Sequence, residues 1–464
     1  MKVVVLNGSP KGKQSVTLQS LRYIAALRPD WDLDVHDIGQ TARMACERED
    51  WLSPILDAVR AADAVVWSTP VYHLLVPSQM KHFLELCAER GEDAFRGKIA
   101  AGFLTSIHFC DHTAASFLAA VSEDLGLGYY GTFSANMHDL LEKGERRRLL
   151  SFADSFAALV RTDPVLPRSA APVVWKERPL GVGPAVRQTD LGGKRVLLLA
   201  DRLESGSTLE GMVRRLSATF SGGTVDLCLL EDVDTKGGCL GCCGCGFNNE
   251  CSWDGRDGYR EFFETRVKPA DILVFAGAIT GRALSWRWKE FFDRSFYNTH
   301  LPVYQGKQLG WLISGPLAQN GFLREVFESY ADVNRGNNAG IVTDECGNGD
   351  RLGAELDGFA ERIALWAKSG YVAPGTFRGI AGRKIFRDEV FSTMRLFFRA
   401  DHKEYRRNGT YDFPQKRRGR MLVARLLWPV LGFKPIQRVV RSSMKKEMVK
   451  GHCRVVAEAV AGKV

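Results

Sequence analysis

The chain has 464 residues, 45% of them hydrophobic and 25% charged, the balance of a globular protein with core enough for two or three domains. No apolar run approaches the ~20 residues of a membrane-spanning helix, and the opening MKVVVLNGSP lacks the charged start and long apolar centre of a secretory signal, so a cytoplasmic protein is expected. The net charge of +9 comes from the C-terminal end, where residues 401–464 hold +11 and residues 1–400 hold −2, so charge gives no support to nucleic-acid binding by the main body.

In chain order, the first strand run, KVVVLN, leads into the loop NGSPKGKQSVT. That loop supplies the hydroxyls of Ser9, Ser15 and Thr17, the countercharge of Lys11 and then a helix start, a combination that suits a phosphate monoester. It is neither a Walker A loop nor a dinucleotide fingerprint, and the same residues would also serve as a plain N-cap and turn. The next strand ends in STPVYHLLVPSQMK, where Thr69, Pro70, Val71 and Tyr72 form a rigid turn with one aromatic face, suited to a flat heteroaromatic ring. A phosphate loop and a ring loop in one cleft suggest FMN. After the third strand, SIHFCDH brings His108, Cys110, Asp111 and His112 to the same end, either as a polar cleft wall or, by ligand type, a metal site. His108 or His112 is a candidate proton donor.

The unit is then written again. AADAVVWSTPVYHLLVPSQMKHFLE (61–85) is matched by PADILVFAGAITGRALSWRWKEFFD (269–293), and the step from Asp63 to Lys81 equals that from Asp271 to Lys289. A repeat of ~200 residues implies tandem domains rather than a solenoid, and alternating apolar strands and amphipathic helices imply doubly wound parallel sheets. The expected layout is a first α/β domain at 1–162, a Pro/Gly-rich linker at 163–192, a second α/β domain at 193–395 and a basic, amphipathic, helical extension at 396–464. In the second domain Ser205, Ser207, Thr208 and the backbone from Gly277 to Ile279 could hold a second flavin.

That second domain carries GGCLGCCGCGFNNECSW, with five cysteines at 239, 242, 243, 245 and 251. Cys239, Cys242, Cys245 and Cys251 form C-x2-C-x2-C-x5-C. A compact run of this kind wraps a [4Fe–4S] cluster more readily than a zinc ion, whose ligands come in two separated halves; zinc and free thiols remain the alternatives. Disulfides are disfavoured in a reducing compartment. In the tail, Leu426, Leu427, Trp428 and Phe433 alternate with Arg and Lys around Pro429 and Pro435, which fits packing on the domains or a second subunit, or peripheral contact with an anionic membrane.

The NGSPKG…S.T loop, the TPVY loop and the CLGCCGCGFNNEC run followed by DGRDGYREFFETRVKPADILVF together resemble the NAD(P)H-dependent FMN reductase and iron–sulfur flavoprotein superfamily. The resemblance implies two tandem flavodoxin-like domains. It implies FMN with its phosphate on Ser9, Lys11, Ser15, Thr17 and Leu18, its ring framed by Thr69, Pro70, Val71 and Tyr72, and Thr105 and Ser106 at the same cleft. It also implies a [4Fe–4S] cluster on Cys239, Cys242, Cys245 and Cys251, and an arrangement in which the cluster of one unit lies near the flavin of the other. The activity implied is a flavin oxidoreductase with NAD(P)H as donor and a small molecule or redox protein as acceptor, in a chain that could form a homodimer. A non-catalytic electron carrier and a zinc-stabilised scaffold are the alternatives.

Overall fold

The computed structural model describes every residue except 47, 177, 413–417, 431–432, 438, 441–460 and 462–464. Contacts gather Met1–Glu404 into one compact unit and Tyr405–Val464 into another. In the second unit a helix spans Arg418–Val430, with Pro429 inside its last turn, where the missing N–H removes one bond of the helical ladder. Leu426, Leu427, Trp428 and Phe433 are exposed. Much of the stretch 416–450, for which docking is expected, lies outside the described residues.

Two large parallel sheets build the first unit, beside a small parallel pair of Thr189–Asp190 with Phe220–Ser221. Strands β1 (Lys2–Asn7), β2 (Asp32–His36), β3 (Ala64–Pro70), β4 (Ile99–Ser106) and β5 (Gly128–Asn136) lie in the order β2-β1-β3-β4-β5. Strands β6 (Arg195–Ala200), β7 (Thr224–Leu229), β8 (Ile272–Thr280), β9 (Gln308–Ser314) and β10 (Asn337–Thr343) repeat it as β7-β6-β8-β9-β10, and the short strand Ala283–Leu284 adds antiparallel to β8. This is the flavodoxin-like order, whose ligand crevice opens at the carboxyl ends of the strands beside β1 and β3. The central strands read as unbroken apolar runs, VVVL, AVVW and ILVFA, because helices cover both faces.

The helices that matter for the site are α1 (Val16–Leu27), α2 (Ser78–Arg90), α3 (Asp111–Asp124), α4 (Thr208–Thr219), α5 (Trp286–Arg294), α6 (Gly349–Ser369) and α7 (Phe377–Phe391). α2 packs on α5 and joins the two sheets. One apolar cluster runs through that joint, from Trp67 and Phe83 to Trp288, Phe292 and Trp311, while two separate clusters fill the outer face of each sheet. Among the described residues no helix is long and apolar enough to cross a membrane.

Candidate active site

The phosphate-type loop is built by the first strand's end. Asn7 Nδ2 donates to the Gly12 carbonyl at 3.1 Å and to Asp37 Oδ1 at 2.8 Å, and the Ser9 N–H donates to Asn7 Oδ1 at 3.3 Å. Gly12 takes a left-handed φ of +52°, and a Cβ on Gly39 would fall 2.3 Å from the Ser9 backbone, so both positions require glycine. Ser15 caps α1 through the Leu18 N–H. The Val16 and Thr17 N–H groups stand at the start of α1, where no carbonyl of the helix can reach them. Thr17 Oγ1 donates to Thr105 Oγ1 at 2.9 Å and ties the loop to the end of β4.

The ring-type loop is held in a strained turn. Tyr72 and Leu75 exchange hydrogen bonds at 2.8 and 3.1 Å around His73 and Leu74, whose φ values are +38° and +70°. Two successive left-handed non-glycine residues are uncommon, and such strain is held by surrounding structure at functional sites. Here the Leu74 carbonyl accepts from Thr113 Oγ1 on α3. Burial pushes His73 down to about 3, with Lys289 and His300 adding to the effect, so its imidazole is neutral.

The cysteine loop comes from the other sheet and is braced on three sides. Arg294 donates to the Gly237 carbonyl at 2.8 Å and to both oxygens of Asp257, at 2.7 and 3.0 Å; Trp253 Nε1 donates to the Gly238 carbonyl at 3.1 Å; and Gln79, from α2, donates to the Cys239 carbonyl at 3.3 Å. Gly241, with φ of +63°, lies so close to Tyr72 that a Cβ there would fall 1.9 Å from the phenol oxygen and 3.2 Å from Lys11 Cε. Burial raises the Tyr72 phenol well above its ordinary range, and the neighbouring Cys239 and Cys243 push it the same way.

These three loops line one cavity of about 320 Å³. Ser9, Lys11, Ser15, Thr17, Pro70, Val71, Tyr72, Thr105 and Ser106 border it, and so do all five clustered cysteines. Leu18 and Thr69 do not border it: Leu18, on α1, is buried in the core, and Thr69 Oγ1 turns back to the Pro70 carbonyl at 3.1 Å. The loop after β4 sends Ile107 and Phe109 to the cavity rather than its histidines. His108 pairs with Asp111 at 3.0 Å and His112 with Glu325 at 3.0 Å, both histidines being exposed. Among the described residues no three His, Cys, Asp or Glu side chains stand together as a ready metal site. Cys242 Sγ lies 3.0 Å from Ser252 Oγ, and Cys245 Sγ points to the Phe296 carbonyl at 3.6 Å.

The far wall is one for which the sequence carries no motif. Phe296, Tyr297 and His300 follow α5, and Phe386, Met394 and Phe398 come from α7 and the turn beyond it. Asp401 accepts from Thr299 Oγ1 at 2.8 Å, from the His300 N–H at 3.0 Å and faces His300 Nδ1 at 3.3 Å. A lone His in YNTHL and an Asp a hundred residues later have nothing in common until the chain folds.

The corresponding cleft of the second sheet is crossed by the linker. The Leu180 N–H donates to Thr208 Oγ1 at 2.9 Å, the Arg178 carbonyl accepts from that hydroxyl at 3.4 Å, and a Cβ on Gly349, at the start of α6, would fall 2.1 Å from the Gly181 oxygen. Val174 exchanges hydrogen bonds with the Gln319 side chain at 2.8 and 3.0 Å. Ser207 caps α4 at the Glu210 N–H, and the Glu210 carboxylate takes the Gly206 N–H at 2.7 Å. The Thr208 hydroxyl is therefore already engaged as acceptor and donor, while Ser207, like Ser15, accepts a capping N–H.

Residues 1–117 match the NADPH-dependent FMN reductase family model. No curated protein matches the chain. Solved structures similar to part of it include an NADH:FMN oxidoreductase in its apo form (21% identity, 34% of this chain and 88% of that one, TM-score 0.30). Another is the NAD(P)H:acceptor oxidoreductase FerB of Paracoccus denitrificans (20%, 35% and 98%, TM-score 0.28). A third is general stress protein 14 of Treponema denticola in complex with FMN (15%, 35% and 99%, TM-score 0.26).

Proposed function

We propose that the chain is a flavin oxidoreductase that binds FMN at the carboxyl end of the first sheet and takes electrons from NAD(P)H. The observation that carries this is the shared cavity: a phosphate-type loop, a ring-type loop and a cysteine loop from the opposite half all border one space. The residues suit the group. Val16 and Thr17 N–H groups, the Ser9 and Ser15 hydroxyls, the Thr17 hydroxyl once turned from Thr105, and Lys11 would hold an anionic phosphate at the start of α1, and the Pro70–Tyr72 turn would lie along a flat ring. FMN supplies hydride and single-electron chemistry when bound, and the protein's share is placement and tuning.

The finer reading adds a [4Fe–4S] cluster on Cys239, Cys242, Cys245 and Cys251, supported by the spacing and by the position of these thiols on the flavin-type cavity. The acceptor is a small molecule or a redox protein that reaches the cavity mouth.

The test is the absorption spectrum of anaerobically purified protein, followed by anaerobic addition of NADH or NADPH. Flavin bands that bleach with a nicotinamide are expected. Protein that neither carries nor takes up FMN would overturn the reading, and a flavin that no nicotinamide reduces would mark an electron carrier instead.

A further inference from the structure

We propose that His300, held by Asp401, donates the proton to the acceptor reduced in the cavity; this rests on the flavin reading above. Asp401 is wholly buried, and its three contacts, to Thr299 Oγ1, His300 N–H and His300 Nδ1, all serve the same short segment. The imidazole is stacked on Phe386 with centroids 4.0 Å apart and planes 27° apart, and is bounded by Phe398 at 5.2 Å and Phe296 at 5.5 Å. The ring is thus fixed against rotation. With Nδ1 turned to a carboxylate, Nε2 is the nitrogen left for the cavity that His300 borders.

A carboxylate behind a histidine selects the tautomer and stabilises the imidazolium. The other histidine of the cavity, His73, is pushed by burial to about 3 and stays neutral, so it cannot fill the role at ordinary pH. Besides Asp401 and His73, the titratable groups around this end of the cavity are Tyr297, Tyr330, Arg294, Asp293 and the cysteine loop.

A conjugated carbonyl acceptor needs a hydride and a proton. Reduced FMN, where bound as proposed, would supply the hydride and give up two electrons. The carbonyl π bond opens, and the oxygen takes the Nε2 proton of the His300 imidazolium, which leaves a neutral ring with its remaining proton on Nδ1 toward Asp401. The neutral imidazole regains a proton from water at the cavity mouth. Asp401 is a positioning residue.

The test compares a water-soluble benzoquinone, which needs a proton, with ferricyanide, which takes electrons alone, in flavin-replete wild type, His300→Gln, Asp401→Asn and Asp401→Glu. The ratio of quinone to ferricyanide turnover should fall about 100-fold in His300→Gln, less in Asp401→Asn, and recover in Asp401→Glu; added imidazole should restore part of it in His300→Ala. Independently of turnover, ¹⁵N NMR of the neutral ring, recorded at alkaline pH, should find His300 with its single proton on Nδ1 in the wild type and mixed between tautomers in Asp401→Asn. Should the histidine variants fail to fold, the NMR comparison and the Asp401 variants still decide. An unchanged ratio in flavin-replete His300→Gln, or a tautomer indifferent to Asp401→Asn, overturns this inference and leaves the flavin reading intact. Failure of the wild type to bind FMN sinks both.

Discussion

Asp293, in the last turn of α5, accepts the backbone N–H of Ser78 at the start of α2 through Oδ2 at 2.8 Å. The contact has a twin, since the Glu85 carboxylate in α2 accepts the N–H of Trp286 at the start of α5. Each acid is also paired with a lysine four residues before it, Lys289 with Asp293 and Lys81 with Glu85 at 2.5 Å, and Lys81 reaches across to the Thr280 carbonyl at 2.8 Å. The Lys-x-x-x-acid motif repeated in the sequence is therefore one device used twice, each half capping the other's helix.

Burial pushes the Asp293 carboxyl up and the Lys289 amine down, so the pair is held against a large desolvation cost and each charge depends on the other. Removing one partner leaves a buried charge alone. Lys289→Met should cost about 3–5 kcal/mol in equilibrium denaturation. Asp293→Asn, which keeps an oxygen for the Ser78 N–H, combined with Lys289→Met should recover much of that loss. Equal losses in the single and double variants would show that the pair is not coupled.

Glu290 lies on α5 in a half-buried position, and its carboxyl is raised to about 7 by burial, opposed by Arg294 and Arg43 and reinforced by Asp293 and Asp257. A carboxyl raised above its unfolded value contributes stability below pH ~4.5 that is lost as pH rises through about 7. Glu290→Gln should therefore match the wild type at pH 4 and exceed it at pH 8 by about 2 kcal/mol, a figure reduced for partial solvent screening. Denaturant melts at the two pH values check the sign, and a variant less stable at pH 8 would refute it.

Gly241 joins the two halves over the cavity. An alanine there would carry a left-handed backbone, costing about 1–2 kcal/mol, and its Cβ would overlap the Tyr72 phenol. The expected result of Gly241→Ala is weaker FMN binding in a fluorescence titration, with Tyr72→Phe in the same chain restoring part of it by removing the nearest atom. If both variants bind FMN as the wild type does, the cysteine loop does not press on the ring loop.

What the sequence made legible was whatever is local. Apolar runs such as VVVL and ILVFA announce central strands, the equal step from Asp63 to Lys81 and from Asp271 to Lys289 announces the repeat, and Ser9 to Thr17 read as a loop for an anion because hydroxyls, cation and helix start are contiguous. The pairings made by folding were not legible. Asp401 meets His300 across a hundred residues, the aromatic wall on α7 has no motif, and His108 and His112 are drawn to Asp111 and Glu325 by surface charge. The linker, whose composition reads only as irregular, supplies the backbone groups that use up Thr208.

That crossing has a consequence for stoichiometry. A second flavin would have to displace the linker from Thr208 and place a phosphate beside the Glu210 carboxylate, which already takes the Gly206 N–H. Titration of the stripped protein with FMN should therefore end at one equivalent per chain, and Ser15→Ala with Thr17→Ala should weaken that site by about 1–3 kcal/mol for each hydrogen bond lost to a charged group. An end point of two, or loss of flavin from Ser207→Ala with Thr208→Ala instead, would move the site to the second sheet.

Cys243 is set apart from its neighbours. Its backbone is left-handed, with φ of +57°, and its thiol turns back to the Gly241 carbonyl at 3.7 Å, whereas Cys242 Sγ meets Ser252, the residue next to Cys251. Adjacent thiolates leave the chain in different directions, and the one directed toward the Cys251 side is Cys242. Iron and sulfide measured on anaerobically purified single Ser variants should fall for Cys239, Cys242, Cys245 and Cys251 and hold for Cys243, because a cubane offers one iron corner to each of four ligands. Equal loss from Cys243→Ser and Cys242→Ser would redraw the ligand set. Zinc in place of iron would replace the cluster with a structural ion.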